Sequence, residues 1–340
     1  MRAFRIGLAA TWILACGSPS ESTSGEDGGK SDATFAGAPD GAAEASGDAG
    51  SPIDATTAPA RDGASGGVAD SGPPSTDASA DADLPGWTLT WSDEFDEPDG
   101  SAVDPTKWAH EVGGTGWGNQ ELEYYTDGTA NAVVTGGNLV ITATAAGASS
   151  LSCWYGPCQY TSARLKTEGL FAQAYGRFEA RIQLPAGQGL WPAFWTLGDN
   201  ISSVSWPACG EIDIMEAVDG EPLRNHGSLH GPVSPGSSTS YNLTGTAPAT
   251  TTPLSTSFHT YAVEWDPGTV RFLVDDVAYE TQTTASLTQN AANGVWEFDH
   301  PFFILLNVAV GGNFPGPPDA AAVFPQAMKV DWVRVYERAD

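Results

Sequence analysis

The sequence predicts an all-β protein, a two-sheet β-jelly-roll sandwich, preceded by a disordered tether. Three observations lead there. Short runs of alternating or continuous apolar residues recur through residues 87–340, as in Asn138 to Thr144, Tyr175 to Leu184, Phe258 to Trp265, Val270 to Val274, Phe302 to Val310 and Met328 to Tyr336. Turn-forming clusters separate them, among them Thr135-Gly136-Gly137-Asn138, Leu184-Pro185-Ala186-Gly187, Asp266-Pro267-Gly268, Asp275-Asp276 and Gly311-Gly312-Asn313. No stretch of reasonable length keeps a helical apolar period. Residues 87–340 are long for a typical domain but ordinary for one sandwich or barrel.

Taken in order, the chain opens with a basic head, Met1 to Arg5, and an apolar run from Ile6 to Ala15 that is too short to span a bilayer. That pairing reads as a secretory signal over residues 1–16. Its end, Ile13-Leu14-Ala15-Cys16-Gly17, resembles a bacterial lipobox, in which the cysteine becomes the lipidated first residue. An outer-membrane lipoprotein facing outward is one expectation, and a fully secreted protein is the other. Residues 17–86 are Gly, Ala, Ser, Thr, Asp and Pro with almost no large apolar side chains. Such a segment cannot bury enough surface to offset its ordering entropy, so an acidic disordered linker is expected. Residues 87–340 then form one domain. The net charge of −28 makes nucleic acid or an anionic membrane surface a poor partner and leaves a neutral polymer open.

Cys153 and Cys158 bracket the turn-prone Trp154-Tyr155-Gly156-Pro157, and export permits a bridge between them. Cys209 is left as a small buried residue. Nothing indicates a zinc site or an oligomer, and a monomer is expected.

The segment that the fold serves is Glu211-Ile212-Asp213-Ile214-Met215-Glu216. Side chains alternate along a strand, so Glu211 and Asp213 share a face. Glu216 would fall on the other face unless a bulge at Ile214-Met215 inserts one residue and returns it. Three crowded carboxylates push one pKa upward, giving an ionised group beside a protonated one. Glycoside cleavage needs that pair. The two Glu α-carbons would lie about 13 Å apart along the strand. Long side chains leaning together can bring the carboxyls to about 5–5.5 Å, the spacing of retaining enzymes. An acidic solvated strand face and a cation site stay open as alternatives.

Aromatic residues surround this segment. Trp191 and Trp195 share a strand face with Ala193 between them, and Trp206 precedes Pro207. Indoles pack on the C–H face of sugars, and they also fill cores. Trp117-Gly118-Asn119-Gln120-Glu121 and Tyr124-Tyr125 add amides and phenols able to bond hydroxyls. His230 is expected on the leaving-group side or on a surface loop.

The segment Glu211 to Glu216 is similar to the signature of glycoside hydrolase family 16. Trp91-Ser92-Asp93-Glu94-Phe95, Tyr160 to Leu165, Tyr175 to Arg181, Trp191-Pro192-Ala193-Phe194-Trp195, Phe298 to Phe302 and Asn307 to Gly312 resemble its bacterial laminarinases, over about residues 87–338. The resemblance implies a jelly roll with a concave substrate cleft, with Glu211 as nucleophile, Glu216 as acid/base and Asp213 bonding the nucleophile. It implies that Trp191, Trp195, Trp206, Asn119, Arg177 and His230 line donor-side subsites, with an ion pair in the sheet as the other reading of Arg177. It also implies a structural calcium held by the main chains of Glu94 and Gly137 and the side chain of Asp331, with no cofactor for catalysis. Hydrolysis of β-1,3-glucan is the expected activity. Mixed-linkage glucan, a galactan, or non-catalytic glucan binding at a surface are the alternatives. The bulged form argues against a strict lichenase.

Overall fold

The computed structural model describes residues 84–218 and 220–339. The expected signal, Cys16 and nearly all of the linker lie outside the described residues. Two antiparallel sheets dominate. The first runs Val277–Thr283, Thr269–Val274, His259–Asp266, Gly176–Gln183, Gln326–Arg338, Asn138–Ala143, Ala132–Thr135, with Trp87–Asp93 also paired to Gln326–Arg338. The second runs Ser240–Thr246, His226–Pro232, Glu211–Glu216, Leu190–Gly198, Phe302–Val310, Arg164–Lys166, Ala109–Glu111. All six anticipated strands are present, and Phe302–Val310 has the expected bounds.

Alternation explains how the sheets meet. Phe178, Ala180 and Ile182 of the first sheet and Phe194, Ile212, Ile304, Leu306 and Val308 of the second share one buried cluster. Residues between them in sequence face away from it. On the second sheet that opposite face carries a smaller cluster, Ala193, Trp195, Leu197, Cys209, Phe303 and Leu305, with Trp206 packed on it. The acids stand on this face.

Two short helices escape the sequence reading, Ile201–Val204 and Thr284–Asn290. The second buries only Leu287, and a reciprocal capping box between Thr283 and Ser286 starts it. Cys153 and Cys158 form the expected disulfide, and Cys209 is buried outside it.

Candidate active site

The bulge is where the sequence places it. Across Leu190–Gly198, Trp195 faces Asp213, Phe194 faces Met215 and Ala193 faces Glu216. Ile214 is the unmatched residue. The strand on the other side shows the same skip, with Ser228 opposite Asp213 and His226 opposite Glu216. Ile214 and Met215 both enter the core cluster, which leaves Glu216 on the face of Glu211 and Asp213.

Each glutamate is held by an indole. Trp206 Nε1 donates to Glu211 Oε2 at 2.7 Å, and Trp191 Nε1 donates to Glu216 Oε1 at 3.0 Å. All three acids are buried. Burial, and then the negative charge of Asp213, push the Glu216 carboxyl well above the ordinary range, with the Trp191 bond pulling weakly the other way. Glu216 therefore keeps its proton where an ordinary glutamate has lost it, and an N–H donor to one oxygen leaves the other for that proton. Residue spacing alone leaves open which glutamate is the acid, and a proton held on Glu216 suits that role.

His230 Nε2 stands 3.2 Å from Asp213 Oδ2, and the ring pairs in register with Glu211. The histidine beside Glu216 is His226, whose basicity burial lowers. The expectation that His230 lies toward the leaving group is corrected accordingly: antiparallel pairing puts it at the nucleophile end of the acid strand. Glu211, Asp213 and His230 offer ligand atoms within 4.8 Å of one another, a set other than the three carboxylates that left a cation site open in the sequence. The Trp206 N–H aimed at Glu211 Oε2 competes with a cation for that oxygen.

Trp195 faces the same side. Its Nε1 donates to Asn307 Oδ1 at 2.8 Å, Asn307 Nδ2 donates to Tyr125 Oη at 3.2 Å, and Tyr125 Oη donates to Glu121 Oε2 at 3.0 Å. Asn119 Nδ2 donates to Glu121 Oε1 at 3.2 Å. Asn119 is thus tied to the site through a buried polar chain, and its side-chain amide already has a protein partner.

Residues 119–334 match the family model for glycosyl hydrolases family 16. The chain belongs to glycosyl hydrolase family 16. It is 44% identical over 264 residues to a beta-glucanase of Rhodothermus marinus, covering 74% of this chain and 86% of that one. It is 39% identical to a glucan endo-1,3-beta-glucosidase of Cryptopygus antarcticus, over 68% of this chain and 83% of that one. Among solved structures, the laminarinase catalytic domain of Thermotoga maritima MSB8 superimposes with a TM-score of 0.67 at 44% identity, covering 75% of this chain and 99% of that one.

Within this family 16 fold, one expected subsite residue is elsewhere. Arg177 does not line the site. It sits in the first sheet beside Phe178, whose ring enters the core, so alternation turns Arg177 outward on the far side of the sandwich. There it bonds Glu179 at 2.7 Å, Glu264 at 3.3 Å and Asp276 at 2.5 Å. The ion-pair reading of this residue is the correct one.

Arg164 carries no role in the sequence expectations, yet it lies on the site face of family 16's second sheet. Its guanidinium sits between two indoles, 4.8 Å from the ring centroids of Trp117 and Trp195, and pairs with Glu111. The signal is the alternation Arg164-Leu165-Lys166, in which buried Leu165 enters the core and turns its neighbours to the site. Phe314 was equally invisible. It packs edge-on against both Trp191 and His226 at 5.5 Å, covering the Glu216 end from a distant loop.

The calcium that the resemblance implies concerns Glu94, Gly137 and Asp331. Trp87–Asp93 pairs with the last strand down to Val333, and Asn138–Ala143 pairs with it up to Val330. Asp331 lies in the gap between these partners, and Glu94 and Gly137 each adjoin the end of one of them. Asn138 Oδ1 is buried there without a hydrogen-bond partner among the described residues. The Glu94 carboxylate is occupied by Arg334 at 3.0 and 2.8 Å, which leaves its main chain. Asp331 Oδ2 accepts from Arg181 at 2.5 Å. An all-oxygen set around one gap fits a hard cation.

Proposed function

We propose that this protein is a retaining endo-β-1,3-glucanase acting on laminarin-type glucan. The observation that carries it is the bulged strand, which sets Glu211, Asp213 and Glu216 on one face and leaves a proton on Glu216. The names of the relatives supply the polymer. A Glu211 oxygen attacks the anomeric carbon as the glycosidic C–O bond breaks, and the Glu216 proton passes to the departing oxygen. Water then attacks the glycosyl-enzyme and yields its proton to Glu216, freeing Glu211. Burial and, second, the charge of Asp213 keep Glu216 protonated, and the partly buried Trp206 offers indole surface beside Glu211.

Reducing-end release with product sizing tests this on laminarin, lichenan, cellulose and agarose in parallel. Rapid release of short oligosaccharides from laminarin, with lichenan slower and the others inert, is the expected result. Activity on agarose alone overturns the polymer but not the chemistry. Binding to laminarin without release moves the protein to the binding class.

Three further parts belong to the proposal. Export, with lipidation at Cys16, is supported by the basic head and short apolar run and by the Cys153–Cys158 disulfide, which suits an oxidising compartment. Labelled palmitate should enter the wild-type chain and not Cys16→Ser; absence of label from wild type refutes the anchor. A structural calcium at Asp331 is supported by the gap between its strand partners and by the buried, unpartnered Asn138 Oδ1 beside it. Calcium at saturating concentration should raise the unfolding midpoint by about 5–10 °C over chelator. Asp331→Ala should remove that gap, and an unchanged wild-type midpoint rejects the site. The protein acts as a monomer, which sedimentation checks.

A further inference from the structure

We propose that Trp154 is an outlying sugar-stacking platform, where the glucan chain that occupies the site makes a contact remote from the bond being cut. The proposal rests on the glucanase reading. Trp154 is a large apolar side chain left 51% exposed. Its exposure does not come from a need to hydrate its N–H, because Nε1 donates to the Glu121 carbonyl at 2.7 Å. Its main-chain N–H donates to the Gly114 carbonyl at 2.8 Å. The ring lies so close to Gly116 that a β-carbon there would come within 2.9 Å of Cδ1 and Nε1. Tyr155 meets it edge-on at 5.4 Å. The tiny hairpin that carries it, Ser152–Cys153 with Gly156–Pro157, is closed by the Cys153–Cys158 bridge. The indole is therefore fixed at one edge and open over about half its surface, so a ligand meeting it has little ordering left to do.

Its position continues a line that starts at the acids. Trp195 faces Asp213 across the strand pair. Arg164 stacks on Trp195, and Trp117 stacks on Arg164. Trp117 follows Gly116, the residue against which Trp154 lies. The line is aromatic and cationic for three members and ends in an open indole. An apolar ring face suits the C–H face of a neutral pyranose, and the net charge of −28 disfavours a polyanion.

Kinetics on the full chain test this with a short and a long substrate, laminaritetraose and laminarin. Trp154→Ala should raise KM for laminarin about tenfold with kcat unchanged and leave the tetraose parameters untouched. Trp154→Phe keeps a ring but loses the clamp and should fall between. Equal losses on both substrates mean that Trp154 merely holds the loop, and no change on either means there is no platform; each overturns the proposal. If wild type cleaves neither substrate, the glucanase reading fails separately. A measurement free of turnover and of variants at 154 then decides: laminarin should protect Trp154 of Glu211→Gln from N-bromosuccinimide, read by peptide mass. An unprotected Trp154 overturns the platform whatever the fate of the activity, or of the folding of Trp154→Ala.

Discussion

Glu211→Gln lowers laminarin hydrolysis at least about 10⁴-fold, because the amide cannot form the glycosyl-enzyme and the residual rate comes from positioning alone. Glu216→Gln lowers it about 10²–10⁴-fold, the usual worth of a general acid. Both variants fold, since the amide keeps the volume and can accept the indole N–H bond from Trp206 or Trp191. Azide added to Glu216→Ala separates the roles. A small anion does not need the general base that water needs, so it captures the glycosyl-enzyme and yields a β-glycosyl azide. Turnover unchanged in either Gln variant rejects the assignment, and an α-azide, formed by direct displacement with no glycosyl-enzyme before it, rejects Glu216 as the acid/base. Stability moves oppositely to activity. The folded-state pKa of Glu216 is raised, so its contribution to stability is full below the unfolded pKa and is lost as pH rises through the folded value. Glu216→Gln removes that loss and should gain about 0.5–2 kcal/mol at neutral pH, the usual yield of such a stabilising change. Denaturant midpoints across pH check the sign.

Asp213→Asn carries the second large effect, a roughly 10²-fold fall in kcat at neutral pH. The groups around Glu216 include Asp213, Trp191, His226 and Tyr279. Burial is the first cause of its raised pKa and the Asp213 charge is the second. Removing that charge lets Glu216 release its proton at lower pH. The alkaline limb of the kcat profile therefore moves toward acid, and part of the lost rate returns when the assay pH is lowered. A limb that stays in place assigns the whole shift to burial and removes Asp213 from control of the proton.

Local patterns carried much of this in the sequence. Six strands showed because their alternation is local, and the bulge showed because Glu211 and Glu216 are five positions apart on what had to be one face. The bridge between Cys153 and Cys158 is likewise short-range. The subsite role of Arg177 came from the resemblance alone, and alternation could not correct it, because it says that a charged side chain leaves the core but not from which sheet. Arg164 was missed for the same reason in reverse. Phe314 and the chain from Asn119 to Trp195 depend on contacts such as Tyr125 with Asn307, far apart in sequence and joined only when the second sheet assembles. The helix at Thr284–Asn290 has a single buried residue, too few to show a period.

The skip at Ile214 also has a genetic meaning. Trp195 faces Asp213 and Phe194 faces Met215, so both neighbours run past Ile214 without counting it. Loss of that one codon would leave Glu216 opposite Ala193 and still on the site face, in a straightened strand. The reach between the two catalytic carboxylates is thus adjustable by a three-nucleotide deletion that alters neither the reading frame nor the pairing of any other strand. The deletion also takes a methyl-rich side chain out of the core, and the same step in reverse would have to supply one.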